Sequence, residues 1–465
     1  MKKLFKFIKW CTIILLGLPA LVYLIWIAGN ISDDDLNPAL AKLVTQLPKT
    51  QLSDRDNAYF DILGLAAPNK MSPHEWGLAW FSQAIHNDQL IREGQPHLPI
   101  SLDGYPSSTE KLNLPCLSNA SSQSCIEEIA NNPSEAKQCL REGAVLLQRF
   151  DSLLDKEYQE PYRDMMPLSD LAILSIEHQA IRLAELRFSV DVANGNNDVA
   201  LTRWGNETSF ILRQAKYSHS LIDKMVLTMA LKRYQRLLAD YISAQPKVAR
   251  QQVTQIQDML RLFKKDAVTL QPAFENEAIL SAKLILSPLM SPIELSDGSE
   301  PIYKRLALFL SIPLFDRHAT ANSLSKIQLE YARTASLSGD DYREALAGLA
   351  AQRAQQEGEG DFLSYHNPVG HVLAQVAVAP DMTEYMYKSD EVIANAQLLL
   401  AAINLIAQNK TDEKSVSIAI KENQASLKHP FTGELPQFDT KTRSLSYPAP
   451  KDFSKNIAWP IAITL

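Results

Sequence analysis

The chain has 465 residues, of which 46% are apolar and 21% charged, with 46 basic against 53 acidic side chains and four cysteines. That length and mix suit a globular protein with ample core and exclude intrinsic disorder, a collagen-like repeat and a polytopic membrane protein. Glycine, 16 of 465 residues, runs at about half its usual share of roughly 7%, which favours helices over turn-rich sheets.

The first predicted element is a membrane helix. Lys2, Lys3, Lys6 and Lys9 precede an uncharged run from Trp10 to Ser32, which Asp33, Asp34 and Asp35 close. Its apolar part, 10–31, would extend roughly 33 Å as a helix, enough to cross a hydrocarbon core of about 30 Å once. It is the one segment that reads as apolar enough to span. The positive-inside rule places residues 1–9 in the cytoplasm and sends the remainder across the bilayer, into the periplasm of a Gram-negative envelope. A cleaved signal peptide would need a shorter apolar stretch and small residues at −3 and −1. Cleavage after Ala28 would put Trp26 at −3, and cleavage after Gly29 would put Ile27 there, so an uncleaved signal anchor of the inner membrane is expected. Pro19 sits mid-span, and Trp10, Tyr23 and Trp26 suit interfacial positions. Without the four leading lysines the balance is 42 basic against 53 acidic residues, or −11. An acidic exported part with no basic run interleaved with aromatics is a poor nucleic-acid binder.

Residues 32–132 form an N-terminal exported region. A polar linker with a short amphipathic stretch runs from Asp33 to about Thr50. Ala58, Ile62 and Leu65 then suit a short helix ending near Gly64. Ser72 as N-cap, Pro73 at N1 and Glu75 at N3 open a helix whose face carries Trp76, Trp80, Ala84 and Ile85. Core packing is the commoner fate of such a stripe, and an exposed aromatic platform is the functional alternative. Residues 94–125 are Pro- and Ser-rich and read as a loop. Cys116 and Cys125 flank its Ser/Asn-rich end, so a disulfide between them is expected, with Cys139 free or a rival partner for Cys125. No His or second close cysteine pair stands nearby, which disfavours a metal site.

From 133 to 428 the pattern is helical. Helices are predicted around 168–186 and at 197–215, 218–243, 247–265, 274–288, 302–311, 315–337, 339–356, 368–377 and 381–409, separated by short polar breaks such as Asn194-Gly195-Asn196. No repeat of fixed period is evident. In the tail, 429–465, Leu435–Phe438 and Ser444–Tyr447 flank Asp439-Thr440-Lys441-Thr442 as a small hairpin. The expected fold is therefore all-α: one N-terminal transmembrane helix, a large antiparallel helical array and a small C-terminal β-hairpin.

Four stretches together resemble a set of uncharacterised, inner-membrane-anchored, helical periplasmic proteins of proteobacteria. They are Asn57-Ala58-Tyr59-Phe60 with Gly64, the Cys116/Cys125 loop leading into a helix, Asn367-Pro368-Val369-Gly370, and Pro430-Phe431-Thr432-Gly433 before the hairpin. The resemblance implies location and fold, and carries no activity, cofactor or catalytic residue.

Chemical signatures are missing. There is no GxSxG, no GxxxxGK[ST], no HExxH and no SxxK in a hydrolase context. His74-Glu75 lacks the second histidine, since position 78 is Leu. His366 and His371 lie five apart, a spacing that does not align two ligands on one helical face, and Asn367 with Pro368 reads more simply as a helix start. Asp316-Arg317-His318 is explained by an ion pair at a helix start, Glu177-His178 by a helix whose adjacent residues face apart, and Met225/Met229 by core packing. Glu384 and Asp390-Glu391 make no convincing catalytic carboxylate pair. No catalytic, cofactor-binding or metal residue is assigned. The sequence reading favours a membrane-anchored scaffold that binds another envelope protein, with Trp76, Trp80 and Asn367 as candidate interaction surface. The alternatives are an enzyme acting on peptidoglycan through a carboxylate pair and a small-ligand binder.

Overall fold

The structure, a computed structural model, describes residues 2–45, 51–93, 95, 125–162, 171–287, 301–358, 366–377, 382–448 and 463–464. It is predominantly helical with one small antiparallel sheet.

The chain starts with helix α1 (Lys2–Ala28), which contains Pro19 and displays Trp10, Leu15, Leu18, Leu21, Leu24 and Ile25 on its exposed surface. The short α2 (Pro38–Thr45) follows, with Leu40 fully buried. Next, α3 (Ala58–Leu63) and α4 (Pro73–Arg92) pack backbone to backbone. A Cβ on Gly77 would lie 1.7 Å from the Phe60 carbonyl oxygen, so only glycine permits this approach. Asn57 starts α3: it is buried, its Oδ1 accepts from Tyr59 N–H (3.1 Å) and Gln159 N–H (3.0 Å), and its Nδ2 donates to Gln159 O (2.6 Å).

Three short helices, α5 (Cys125–Asn131), α6 (Pro133–Glu142) and α7 (Ala144–Asp151), lead into the long hairpin-connected α8 (Leu171–Ala193), α9 (Asn197–Tyr217) and α10 (Leu221–Ala244). Ser220 caps α10 by accepting from Asp223 N–H at 3.3 Å. The long helices bury Trp204, Phe210, Tyr234 and Tyr241, each contributing about 1.5–3 kcal/mol by removal from water. Trp204 Nε1 is satisfied by Tyr234 O at 2.8 Å. Trp76, Trp80, Ile126 and Phe150 belong to the same core, so residues before and after position 132 share one apolar interior.

The helix predicted over 247–265 is broken into α11 (Pro246–Gln251) and α12 (Val253–Leu260). Gln252 stands between them because its side chain is held elsewhere: it accepts from Tyr241 Oη and donates to Asp198 Oδ1 at 2.5 Å. Then come α13 (Lys265–Val268), α14 (Gln271–Leu286), α15 (Ile302–Ser311), α16 (Arg317–Ser336), α17 (Gly339–Gly358) and α18 (Pro368–Ala377). Helices α14 and α16 pack closely, and α2 lies on them through Leu40, Ala278, Ala282, Ile285, Ala321 and Leu324.

Helix α19 (Thr383–Ala407) runs through the core against α10, α12 and α13. It corrects the expectation that 10–31 is the one span-like segment: among the described residues, α19 is the helix long and apolar enough to cross a membrane, with a mean hydropathy of 1.4 over its most apolar stretch. Burial explains its composition: 72% of its most apolar stretch lies inside the protein. Of α1, the stretch Gly17–Ala28 counts as a shorter apolar helix among the described side chains.

After α20 (Glu413–Glu422) and α21 (Gln424–Leu427), β1 (Gln437–Asp439) and β2 (Ser444–Ser446) form the hairpin expected in the tail. Phe438 pairs with Leu445. A third strand, β3 (Ile463–Thr464), adds antiparallel to β2 and seats Ile463 against α10, an element with no signal in the sequence pattern.

Candidate functional site

A densely connected polar site lies where α1 meets the body. Asp33 to Asn37 looked like free linker in the sequence, but in the structure this stretch is fastened to α16. Asp34 N–H donates to Asp316 Oδ2 (2.8 Å), His318 Nδ1 contacts Asp34 O (2.7 Å), and Asn322 Nδ2 donates to Asp35 O (2.9 Å). Asn37 N–H donates to Asn322 Oδ1 at 2.7 Å, while Asn37 Oδ1 accepts from Ala39 N–H at the start of α2.

Asp316 is the N-cap of α16. Its extended backbone (φ −91°, ψ 114°) aims Oδ1 at Ala319 N–H, 2.8 Å away, which satisfies one orphan donor of the first turn. The carboxylate also sits at the positive end of the helix dipole.

Asn367 closes the site from the other side. It adopts the left-handed conformation (φ 47°), which Asn tolerates better than most residues. Its Oδ1 accepts from Asp316 N–H (3.0 Å) and Gly370 N–H (3.1 Å), its Nδ2 donates to Thr320 Oγ1 (3.0 Å), and its own N–H donates to Asn30 Oδ1 (2.6 Å). Asn30 in turn donates to Trp26 O at 2.6 Å, in the last turn of α1. Gly370 must be glycine, since a Cβ there would lie 2.0 Å from Thr320 Oγ1 and 2.2 Å from Asn367 Nδ2.

On this frame His366 meets two carboxylates. Its Nε2 is 3.5 Å from Asp34 Oδ1 and 3.8 Å from Asp316 Oδ2, and all three atoms lie within 4.8 Å of one another. Asp316 is buried, His366 half-buried and Asp34 exposed. Two occupants suit this set. A proton on His366 makes an ion-pair triad, and a divalent cation at about 2.1 Å from each atom would need tetrahedral ligand separations of about 3.4 Å. Nothing in the sequence joined the three, which stand at 34, 316 and 366. Asp34 read as the end of the apolar run, Asp316 as a helix-start ion pair and His366 as one of a mismatched histidine pair; His371 is exposed and outside the site.

Beside the junction, an open groove of about 670 Å³ runs between α2 and α16. Asp35, Asn37, Leu40, Asn322, Lys326 and Arg333 line it, an apolar floor with charges of both signs at the rim.

The structure corrects three of the candidate surface residues. Trp76, Trp80 and Asn367 are 2%, 0% and 4% exposed, so they present no surface. The tryptophans fill the core under α3, and Asn367 is consumed by the hydrogen bonds that hold its turn. Cys125 is buried at the start of α5, and Cys139 is a free, buried thiol whose pKa is raised by burial and by Glu142 and Glu135. Cys116 lies outside the described residues. His74 Nδ1 faces Asp61 at 3.1 Å, an acid that also pairs with Lys156 at 2.9 Å, so His74 is a structural partner.

Several acids whose pKa is raised are enclosed in helix packing. Burial raises Glu177 to about 7 against the opposing hydrogen bond from Gln214. Burial likewise raises Glu160, although its Oε2 accepts from Ser218 Oγ (2.9 Å) and His219 N–H (2.5 Å) and so closes the turn between α9 and α10. Lys224 donates to Ala215 O (2.6 Å) and Thr269 O (2.8 Å), with its pKa lowered by burial to about 7. Asp390 and Glu391, adjacent on α19, serve different partners, Tyr342 and Lys232, and Glu384 pairs with Lys388 one turn away. His178 is pushed down to about 4 by burial and by Arg233 and Arg182. Met225 and Met229 are half-buried in α10. In comparisons with known proteins, no protein-family model, curated protein or solved structure matches the chain.

Proposed function

We propose that this is a single-pass protein of a bacterial inner membrane, its N-terminus cytoplasmic and its helical body periplasmic, acting as a scaffold for another envelope protein. The junction carries the reading. A loosely tethered domain would leave residues 29–37 unpaired, whereas here Asn30, Asp34, Asp35 and Asn37 are each bonded to the body. Such fastening fixes the body at one height and orientation above the bilayer, which is what a scaffold requires. The lysine-flanked, apolar α1 supports membrane insertion in that orientation. A Cys116–Cys125 disulfide completes this reading, since an oxidising compartment sustains such a bond.

The groove between α2 and α16 is the surface this reading assigns to the partner. It adjoins the fastened segment and combines an apolar floor with a charged rim, the general composition of a protein-binding patch.

Two measurements test the proposal. A C-terminal alkaline phosphatase fusion, which folds only after export, is expected to be active and to resist alkaline carbonate extraction from membranes. An inactive or extractable fusion overturns the topology. Photocrosslinking from position 326 in living cells is expected to capture one reproducible envelope protein; capture of glycan alone, or of nothing, overturns the scaffold role.

A further inference from the structure

Helix α15 has an apolar face that the body does not cover. Ile302, Tyr303, Leu306 and Phe309 are 84%, 69%, 56% and 64% exposed, and Leu310 continues the stripe. At 100° per residue these five positions fall within an arc of about 120°, one face of the helix. Lys304 lies on the opposite face, also exposed, and Arg305 borders the stripe in sequence. A soluble protein rarely leaves so continuous an apolar face in water, and such faces mark interaction sites.

The position of the helix identifies what covers it. Tyr23 Oη donates to Leu310 O at 2.9 Å, which ties the C-terminal end of α15 to the side of α1. The following 3₁₀ turn, Ile312–Leu314, also touches α1. Tyr23 stands five residues before the end of α1, or about 7–8 Å below it along the axis. That is the depth of about 5–10 Å at which an amphipathic helix settles into the headgroup and acyl boundary. The neighbouring apolar residues of α1, Leu21, Val22 and Ile25, are exposed as well.

We propose that α15 is an interfacial helix, with its Ile302, Tyr303, Leu306, Phe309 and Leu310 stripe buried in the outer leaflet of the bilayer that α1 crosses. The inference rests on the membrane-spanning reading of α1. Tyr303 and Phe309 supply the aromatic groups favoured at that boundary. The protein then holds its membrane at two places, by a span and by a flat contact, and the two together fix tilt and rotation as well as attachment.

The test uses full-length protein reconstituted in vesicles of phosphatidylethanolamine and phosphatidylglycerol. A benzophenone-bearing residue replaces Phe309, Leu18 or Ile418 one at a time; Ile418 is an exposed apolar residue on α20. Lipid adducts are measured by mass spectrometry. Strong adducts at 18 and 309, with about tenfold less at 418, are expected. Adducts at 18 but water or protein products at 309 overturn the interfacial helix and leave the anchor standing. Adducts at 309 but not 18 overturn the span and, with it, the placement of α15 beside a membrane-crossing α1, and adducts at neither overturn both. The same probe at the still more exposed Ile302 repeats the measurement should the 309 variant fail to fold.

Discussion

Asn30 Oδ1 accepts the backbone N–H of Asn367 at 2.6 Å, joining residues 337 positions apart and closing the end of α1 onto the turn before α18. The same asparagine holds Trp26 O in the last turn of α1. One side chain therefore ends a helix and anchors it to the body. Asn30→Ala is expected to lower stability by about 1 kcal/mol, and Asn367→Ala by about 2–3 kcal/mol because it leaves buried partners unpaired. Shared bonds make the double variant less than additive, by about 0.5 kcal/mol or more in a double-mutant cycle read from denaturant titrations in detergent. Additive losses would show that the two residues do not act through one another.

Two glycines give opposite outcomes for the same substitution. Gly370→Ala forces a methyl into Thr320 Oγ1 and the Asn367 amide and is expected to cost about 1–3 kcal/mol. Gly348→Ala, in α17 with nothing within 4 Å of the new methyl, is expected to stabilise by up to about 1 kcal/mol through helix propensity. Thermal melts of both variants check the pair, and a neutral Gly370→Ala would refute the tight turn.

Glu177 sets a pH dependence with a defined sign. Its folded pKa of about 7 lies above the ordinary carboxyl value of 4.5, so the folded state holds its proton over that window and the unfolded state does not. Its contribution to stability is present in full below about pH 4.5 and is lost as pH rises towards 7. The neutral buried histidines 178, 219 and 429, each pushed down to about 4 chiefly by burial, act in the opposite sense, losing stability as pH falls from 6.5 to 4. The clean readout is a difference: Glu177→Gln should gain on the parent protein as pH is raised from 4.5 to 7. A pH-independent difference in melting temperature would contradict the assignment.

Lys232 and Glu391 form a buried ion pair, 7% and 2% exposed. Removing one partner strands the other, so Glu391→Leu alone is expected to cost about 3–5 kcal/mol. Lys232→Met combined with Glu391→Leu should recover most of that loss, as hydrophobic replacement of a buried pair often does. Chemical denaturation of the two single variants and the double variant decides it; a double variant as unstable as the sum would show that the charges serve another partner.

Local chemistry was readable in the sequence wherever adjacent residues decide the outcome. Ser72 with Pro73 opens α4, Asn194-Gly195-Asn196 separates α8 from α9, and Asp439 to Arg443 turns the hairpin. Periodicity put Trp76 and Trp80 on one face but does not say whether that face looks inward, and here it does. The break at Gln252 depends on Tyr241 and Asp198, reached only through tertiary packing. The site itself was the least legible part: Asp34, Asp316 and His366 converge because α1, α16 and the turn before α18 meet there, a meeting that no short spacing encodes.

Helix α19 carries a consequence for biogenesis on the anchored reading. A channel that sorts segments by hydropathy would treat Thr383–Ala407 as a candidate for lateral release into lipid, leaving the C-terminal sheet on the wrong side. Helices α10, α11, α12 and α13, which pack against it, precede it in the chain, so on that reading the walls of its eventual cradle would cross before it does. Lys388, Asp390 and Glu391 near its N-terminal end make lipid a poor host, and Glu391 has its counter-ion waiting in Lys232 on α10. If the body is exported, order of emergence and charge would together steer this segment into protein rather than lipid.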